Sequence, residues 1–422
     1  MAHSTSSASS TGLDLTRLRA QFPALQRQHH GRPIAYFDGP GGTQVPRAVV
    51  DAMVDYLLNH NANTHWHYPT SVETDAIITA SRAAFADLLN ASADEIVFGA
   101  NMTTLTVHLA RTLARRWQPG DEVIVTELDH HANVDSWRAA AADRGLTVRA
   151  VRVTEAGELD LDDLAAAFSP RTKLLALGAA SNAIGTMVEL KKGIALARAA
   201  GALVFVDAVH AVPHHLMDVR DLDCDFLGCS TYKFYGPHMG VLFGKRALIE
   251  SLDAPKLRPA PDSSPERLET GTQNHEAIAG AAAAVDFLAS LAPAADAAPP
   301  AGVSARRAAL VRAFDAIHTE GEQRIAQLWN GLAAIPGVTL FGRQPGAART
   351  PTIGFTVAGH SSEHVADALA ERAVFVSNGN FYAQALVERL GQSADGLVRA
   401  GAACYTTAEE VDRLIDGVRN LR

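Results

Sequence analysis

The chain reads as an α/β protein: a large domain on a mostly parallel seven-stranded sheet, followed by a smaller α+β C-terminal domain. Three observations predict this. From about Asp94, short apolar runs alternate with helix-compatible stretches, the pattern of a parallel sheet covered by helices. After about position 270 the texture changes to an alanine-rich helical stretch and then to strands mixed with helices. Between the two lies LAPAADAAPPAGVSARRA, whose Pro and Ala content marks a loop or linker.

In chain order, residues 1–12 have neither a charged n-region nor an apolar h-region and are expected to be a flexible leader. Residues 13–60, with a helix near LDLTRLRAQFPAL, are expected to pack with the small domain. The large domain is expected over 61–290. Its candidate strands are EIVFGA (95–100), EVIVTEL (122–128), TVRAVRV (147–153), KLLALGA (173–179), ALVFVDA (202–208), DFLGCS (225–230) and GVLFG (240–244). Helical patterns at 103–117 and 189–201 end at Pro119-Gly120 and at Gly201, residues that stop helices. After a linker at 291–305, the small domain (306–422) follows a long helical pattern (303–334) with strands at 338–342 and 352–359 and helices at 362–372 and 407–421. No internal repeat is present.

The 422 residues, 47% hydrophobic and 20% charged, suffice for two or three domains and exclude a disulfide mini-protein or a disordered chain. Basic residues number 37 against 46 acidic, a net charge of -9 with no long run of either sign, which argues against a nucleic-acid partner. No apolar stretch approaches the roughly 20 residues of a membrane span. Cys224, Cys229 and Cys404 are too few and scattered for a disulfide framework or a zinc knuckle, so a reducing, cytoplasmic setting is expected. Only six basic residues are lysine, namely Lys173, Lys191, Lys192, Lys233, Lys245 and Lys256. Chemistry that needs a lysine amine therefore has few candidates.

Open parallel sheets bind ligands at the carboxyl ends of their strands, so the strand-exit residues are the informative ones. Asn101-Met102-Thr103-Thr104 opens a helix, where free N–H groups favour a phosphate. Asp129-His130-His131, Ser181-Asn182, Asp207 with His210, and Ser230-Thr231-Tyr232-Lys233 follow later strands. An amine, a carboxylate, an imidazole and a hydroxyl cluster on one rim are what pyridoxal phosphate requires: covalent attachment, a partner for the pyridine nitrogen, a flat cover and a phosphate cup. Lys233, in the turn-like STYKFYGPHMG, is the attachment candidate. Lys173 starts a strand, Lys191 and Lys192 lie on a helix, and Lys245 and Lys256 lie in surface-like contexts.

Each residue also has a plainer reading. A lone lysine after a strand is usually solvated, and an aspartate there is more often a helix cap or salt-bridge partner. The doublet His130-His131 could be incidental, and Cys229 reads as a buried apolar residue. His60, His65 and His67 in NHNANTHWHYP lack acidic or cysteine partners at ligand spacing, so no metal is expected. The joint occurrence in strand order is what the separate readings leave unexplained.

These blocks resemble the cysteine desulfurases and related class V aminotransferases, which are fold-type I pyridoxal-phosphate enzymes. The similarity lies in ELDHHANVDSW (127–137), AASNAIGT (179–186), VDAVHAVPH (206–214), STYKFYGPHMGVLFG (230–244) and LETGTQN (268–274), in that order. GPGGTQ (39–44) and NGNFYAQAL (378–386) resemble a desulfurase-like subgroup. The resemblance implies Lys233 as cofactor lysine and Cα base, His130 over the ring and Asp207 on the pyridine nitrogen. It places Asn182 and His210 near the ring oxygen, with Thr103, Thr104, Ser230 and Tyr232 around the phosphate. Thr272 would reach the phosphate from a neighbouring subunit, which implies a homodimer with shared sites. Arg399 would grip the substrate α-carboxylate, with Asn380 and Tyr382 also facing substrate.

One block departs from the family. Desulfurases carry Arg-x-Gly-His-His-Cys-Ala, whose thiolate takes sulfur as a persulfide; here Ser377 to Ala383 place Tyr382 at the cysteine position and Ser377 at the arginine position. Cys404 is a poor substitute. The expected activity is therefore Cα chemistry on an L-amino acid, with a cysteine-like substrate and C–S elimination without a persulfide cysteine. The alternatives are transamination or epimerisation, and, from another class, a catalytically silent partner protein in sulfur metabolism.

Overall fold

The structure is a computed structural model that describes residues 12–293 and 298–421. Residues 1–11 of the expected leader and 294–297 of the expected linker lie outside the described residues.

All seven candidate strands of the large domain form: β1 (Ile96–Gly99), β2 (Glu122–Thr126), β3 (Thr147–Val151), β4 (Thr172–Gly178), β5 (Leu203–Asp207), β6 (Phe226–Ser230) and β7 (Gly240–Gly244). They make one sheet in the order β1-β7-β6-β5-β4-β2-β3. All neighbours run parallel except β7, which is antiparallel to both β1 and β6. Side chains alternate between the two faces, as the pleat requires. Ile124, Leu175, Leu177, Val204 and Val206 enter the core on one side. Val123, Val125, Leu174, Ala176 and Phe205 enter the core on the other. Burial on both faces explains why these strands read as near-continuous apolar runs.

The small domain is a four-stranded antiparallel sheet of β8 (Val338–Phe341), β9 (Thr352–Val357), β10 (Ser377–Gly379) and β11 (Leu397–Gly401), in the order β8-β9-β11-β10. Helices Ala305–Ala333, Ser362–Ala370 and Ala408–Arg419 cover it, around a core containing Leu328, Phe355, Val398 and Leu414. Arg399 lies on β11 opposite Gly354 and Ser377. Cys404 falls in a turn beyond β11 rather than within a strand.

The N-terminal segment divides between the two domains. Ala35–Tyr36 pairs in parallel with Val374–Phe375, and Asp38 bridges Gly401 in the small domain. Helix Arg47–Asp55 and the π-helical turn Tyr56–His60 instead pack on helix His275–Ser290. The stretch between them, 39–45, therefore crosses the junction, and Thr43 N and Oγ1 both donate to the carbonyl of Tyr232.

Gly240 shows how closely these elements approach. A Cβ there would lie 2.3 Å from the backbone carbon of Asn101, the N-cap of helix Met102–Ala114. Gly240→Ala is expected to destabilise the protein by about 1–3 kcal/mol through overpacking against backbone that cannot rotate away. Thermal melts of the two proteins, with cofactor content measured alongside, check this.

Candidate functional site

The strand exits converge on a cavity of about 330 Å³ between the domains. Of the residues expected at the site, Thr103, His130, Asn182, Asp207, His210, Ser230, Tyr232, Lys233, Tyr382 and Arg399 line it. Thr104, Thr272 and Asn380 do not.

Lys233 follows β6 in a short 3-10 turn. Its amine donates to the carbonyls of Pro40 (2.6 Å) and Gly41 (2.9 Å) and lies 4.8 Å from the centre of the Tyr232 ring. Burial, reinforced by the Arg399 charge and opposed by Asp38 and Asp207, lowers its pKa to about 8. That brings a substantial unprotonated fraction within reach of neutral pH.

Asp207 ends β5, opposite Gly178 and Gly228. Its Oδ1 accepts from Val209 N at 2.9 Å, and burial raises its pKa to about 6. Asp129, also buried, is pushed well above the usual carboxylate range, first by burial and then by Asp207. Gly178 makes room for it, since a Cβ there would sit 1.9 Å from Asp129 Oδ1. His130 Nδ1 accepts from Ala132 N at 3.0 Å, so the neutral ring carries its proton on Nε2. Burial, with Lys233, His131 and Arg399 nearby, lowers its pKa to about 4. His210 is buried, bonds Thr350 Oγ1 through Nε2 at 3.0 Å, and is held well below the usual imidazole range.

At the other end of the cavity the first turn of helix Met102–Ala114 shares out its N–H groups. Met102 N donates to Ser230 Oγ at 3.0 Å and Thr104 N to Asn101 Oδ1 at 2.8 Å. Among the described residues this leaves the Thr103 N–H for an anion. The Thr104 hydroxyl also turns to Asn101 Oδ1, and Thr104 lines a separate cavity with Thr272 and His238. Tyr232 stacks on His238, with ring centroids 4.7 Å apart. Thr272 is exposed.

Arg399 is 5% exposed. Its guanidinium donates to Asp38 Oδ1 (3.0 Å), Asn182 O (3.1 Å) and Ser377 Oγ (3.2 Å), and the Phe381 ring covers it at 4.2 Å. Phe381 and Tyr382 both adopt left-handed backbone, with φ of 57° and 56°. Asn182 Nδ2 donates to Phe381 O (2.8 Å), and His131 N to Tyr382 O (2.7 Å). The Tyr382 ring lies 5.4 Å from that of His130. Asn380 braces the same turn, its Oδ1 accepting from Tyr382 N, and does not line the cavity.

The residues present suit a flat pyridine-containing anion. Asp207 is a buried carboxylate whose ionised form burial penalises, a cost that a cationic ring nitrogen would offset. The buried Asn182 Oδ1 has no partner among the described residues. The three cysteines are free and buried; burial pushes the Cys224 and Cys404 thiols up to about 12 and raises Cys229 further. His60 pairs with Glu73 and Asp55, and His65 with Asp75, so those histidines do not converge on one point. Asp38 and the Pro40 and Gly41 carbonyls also meet the site, though no role for them is legible in the sequence. Asp38 carries no local signal, since its role appears only when β11 lies beside it.

The class-V aminotransferase family model matches residues 35–414. A cysteine desulfurase of Pectobacterium atrosepticum is 33% identical over 423 residues, covering 96% of this chain and 98% of its own. One of Synechococcus elongatus is 31% identical and covers 99% of this chain and 65% of its own. The solved structure of the Escherichia coli cysteine desulfurase CsdA superposes with TM-score 0.82 at 30% identity, covering 96% of this chain and 97% of that one. A cysteine desulfurase of Thermococcus onnurineus superposes at 0.86 with 25% identity, covering 98% and 99%. With a match over most of its length and the same α/β architecture, the chain belongs to the class-V aminotransferase family, as a cysteine desulfurase-like enzyme that uses pyridoxal 5′-phosphate.

Proposed function

We propose that the enzyme acts at Cα of an L-amino acid, favours cysteine-like substrates, and breaks the C–S bond by elimination without a protein persulfide. The observation that carries this reading is the cavity lining: Phe381 and Tyr382 stand there, and no cysteine does among the described residues. Removing sulfur from cysteine to leave alanine needs a thiol to take the sulfur atom. Elimination needs none, because cysteine and water become pyruvate, ammonia and hydrogen sulfide without net redox change. The buried, high-pKa thiols favour the second route.

The bound cofactor supplies an electron sink for the pair released at Cα. Lys233 would hold it and carry the Cα proton. Asp207 would face the pyridine nitrogen and His130 the ring, with Asn182 and His210 beside the ring oxygen. Thr103, Ser230 and Tyr232 would take the phosphate, and Arg399 the substrate carboxylate by a paired guanidinium contact. Tyr382 would then border the substrate side chain.

The proposed homodimer is supported by apolar side chains left on the surface. Val50, Val54, Leu57, Leu58, Trp66, Tyr68, Val72 and Leu257 are all exposed, more than scattered surface residues would explain. Thr272, exposed and outside its own cavity, suits a reach into a second copy. Among the described residues no helix is long and apolar enough to cross a membrane. A cytoplasmic setting, also proposed, suits the three free thiols.

With cysteine as substrate, sulfide and pyruvate are expected in equal amounts, with no sulfur retained on the chain and Tyr382→Phe still active. Alanine formation with a thiol-labelled protein would overturn the elimination reading, and a keto-acid-reversible pyridoxamine form would favour transamination. Reloading of stripped enzyme with pyridoxal phosphate is expected to speed up as pH rises through about 8, because only the unprotonated Lys233 amine attacks an aldehyde. Stopped-flow absorbance across pH reads this, and Lys233→Ala is expected to lose the visible band. Leu58→Glu with Trp66→Glu is expected to halve the mass seen by light scattering and to abolish turnover.

A further inference from the structure

We infer that His29, His30 and Glu371 form a binding site for a divalent transition-metal ion, at the junction of the N-terminal hairpin and the small domain. Each residue offers one ligand atom, and the three atoms lie within 4.8 Å of one another. His30 Nε2 and Glu371 Oε2 are 3.3 Å apart. Zinc bonds of about 2.0–2.2 Å in tetrahedral array space neighbouring ligand atoms roughly 3.3–3.5 Å apart. One pair, His30 with Glu371, is already at that spacing, and His29 offers its nitrogen within 4.8 Å of both.

The backbone brings the two imidazoles together. Residues 28–29 and 32–33 pair as a hairpin, Gln28 with Pro33 and His29 with Arg32, around the two-residue turn His30-Gly31. Both turn residues are left-handed, with φ of 50° and 71°. Asn-Gly is the usual choice for such a turn, and a histidine there is strained. Consecutive strand side chains point to opposite faces. Here the left-handed turn swings His30 back onto its neighbour, so the ring centroids are 4.0 Å apart. The His29 ring also meets Phe375 edge-on at 5.7 Å, which limits its rotation.

The backbone that carries the third ligand is held by hydrogen bonds. Glu371 caps helix Ser362–Ala370, and Ala35 N donates to Ala373 O two residues further on at 2.9 Å. The hairpin and the cap are thus stitched together before any ion arrives. An exposed histidine–glutamate pair by itself contributes little; two nitrogens and one carboxylate favour zinc, cobalt or nickel over magnesium or calcium. A fourth position stays open to water.

The test uses chelator-washed holoenzyme, Zn²⁺ as probe, and equilibrium dialysis with elemental analysis. His30→Asn keeps a turn-compatible residue but removes a ligand, and Glu371→Gln keeps the shape but removes the charge. The expected result is one equivalent of Zn²⁺ in the parent, lost in both variants, with a Zn²⁺-dependent rise in melting temperature seen only in the parent. Unchanged cofactor absorbance in both variants shows that they are folded. No uptake by the parent, or equal uptake by parent and variants, would overturn the site.

Discussion

The buried guanidinium of Arg399 is the constraint on which the site depends. It sits on a central strand of the small sheet, yet its partners come from three stretches of chain: Asp38 before the large domain, the Asn182 carbonyl within it, and Ser377 on the neighbouring strand. A buried charge is tolerated only when its donors are occupied, so both domains and the N-terminal segment must meet at one point. The same charge helps to lower the pKa of Lys233 and of His130. The proposed cofactor amine and the cation suited to a carboxylate are therefore tuned together. Asp38, half-exposed, moderates both.

The loop at 380–383 is the second organising feature. Two consecutive non-glycine residues in left-handed backbone cost energy that neighbouring contacts must repay. Asn182 and His131 hold the two carbonyls, Phe381 lies on Arg399, and Arg389 just beyond the loop makes a paired contact with Glu127. A thiol that shuttles sulfur out of a site needs freedom to move, whereas this turn is tied at both ends. Tyr382 and the pinned loop both support the proposed elimination without a protein persulfide. The Phe381 ring covers one face of the Arg399 guanidinium.

The strands of the large sheet and the residues at their exits are legible in the sequence because their signals are local. An apolar run marks a doubly buried strand, and the residue after it faces the carboxyl edge whatever the rest of the chain does. Lys233, Asp207, His130 and Asn182 are read in that way, and all four line the cavity. Thr104 and Asn380 fall outside the cavity lining for an equally local reason. Each has a side chain able to serve its own turn, Thr104 toward Asn101 and Asn380 toward Tyr382, and each does so instead of lining the cavity.

The sequence alone determined the fold class, the scarcity of lysines that makes Lys233 the proposed cofactor lysine, and the tyrosine at position 382, since each follows from residue type and short-range pattern. Only the tertiary structure decided what meets what. Asp38 and Arg399 are 361 residues apart, and the carbonyls that hold the Lys233 amine lie 193 and 192 residues before it. The hairpin histidines meet Glu371 only because two short parallel strands pair. Such contacts are set by how separate elements pack, and no periodicity within a dozen residues records them.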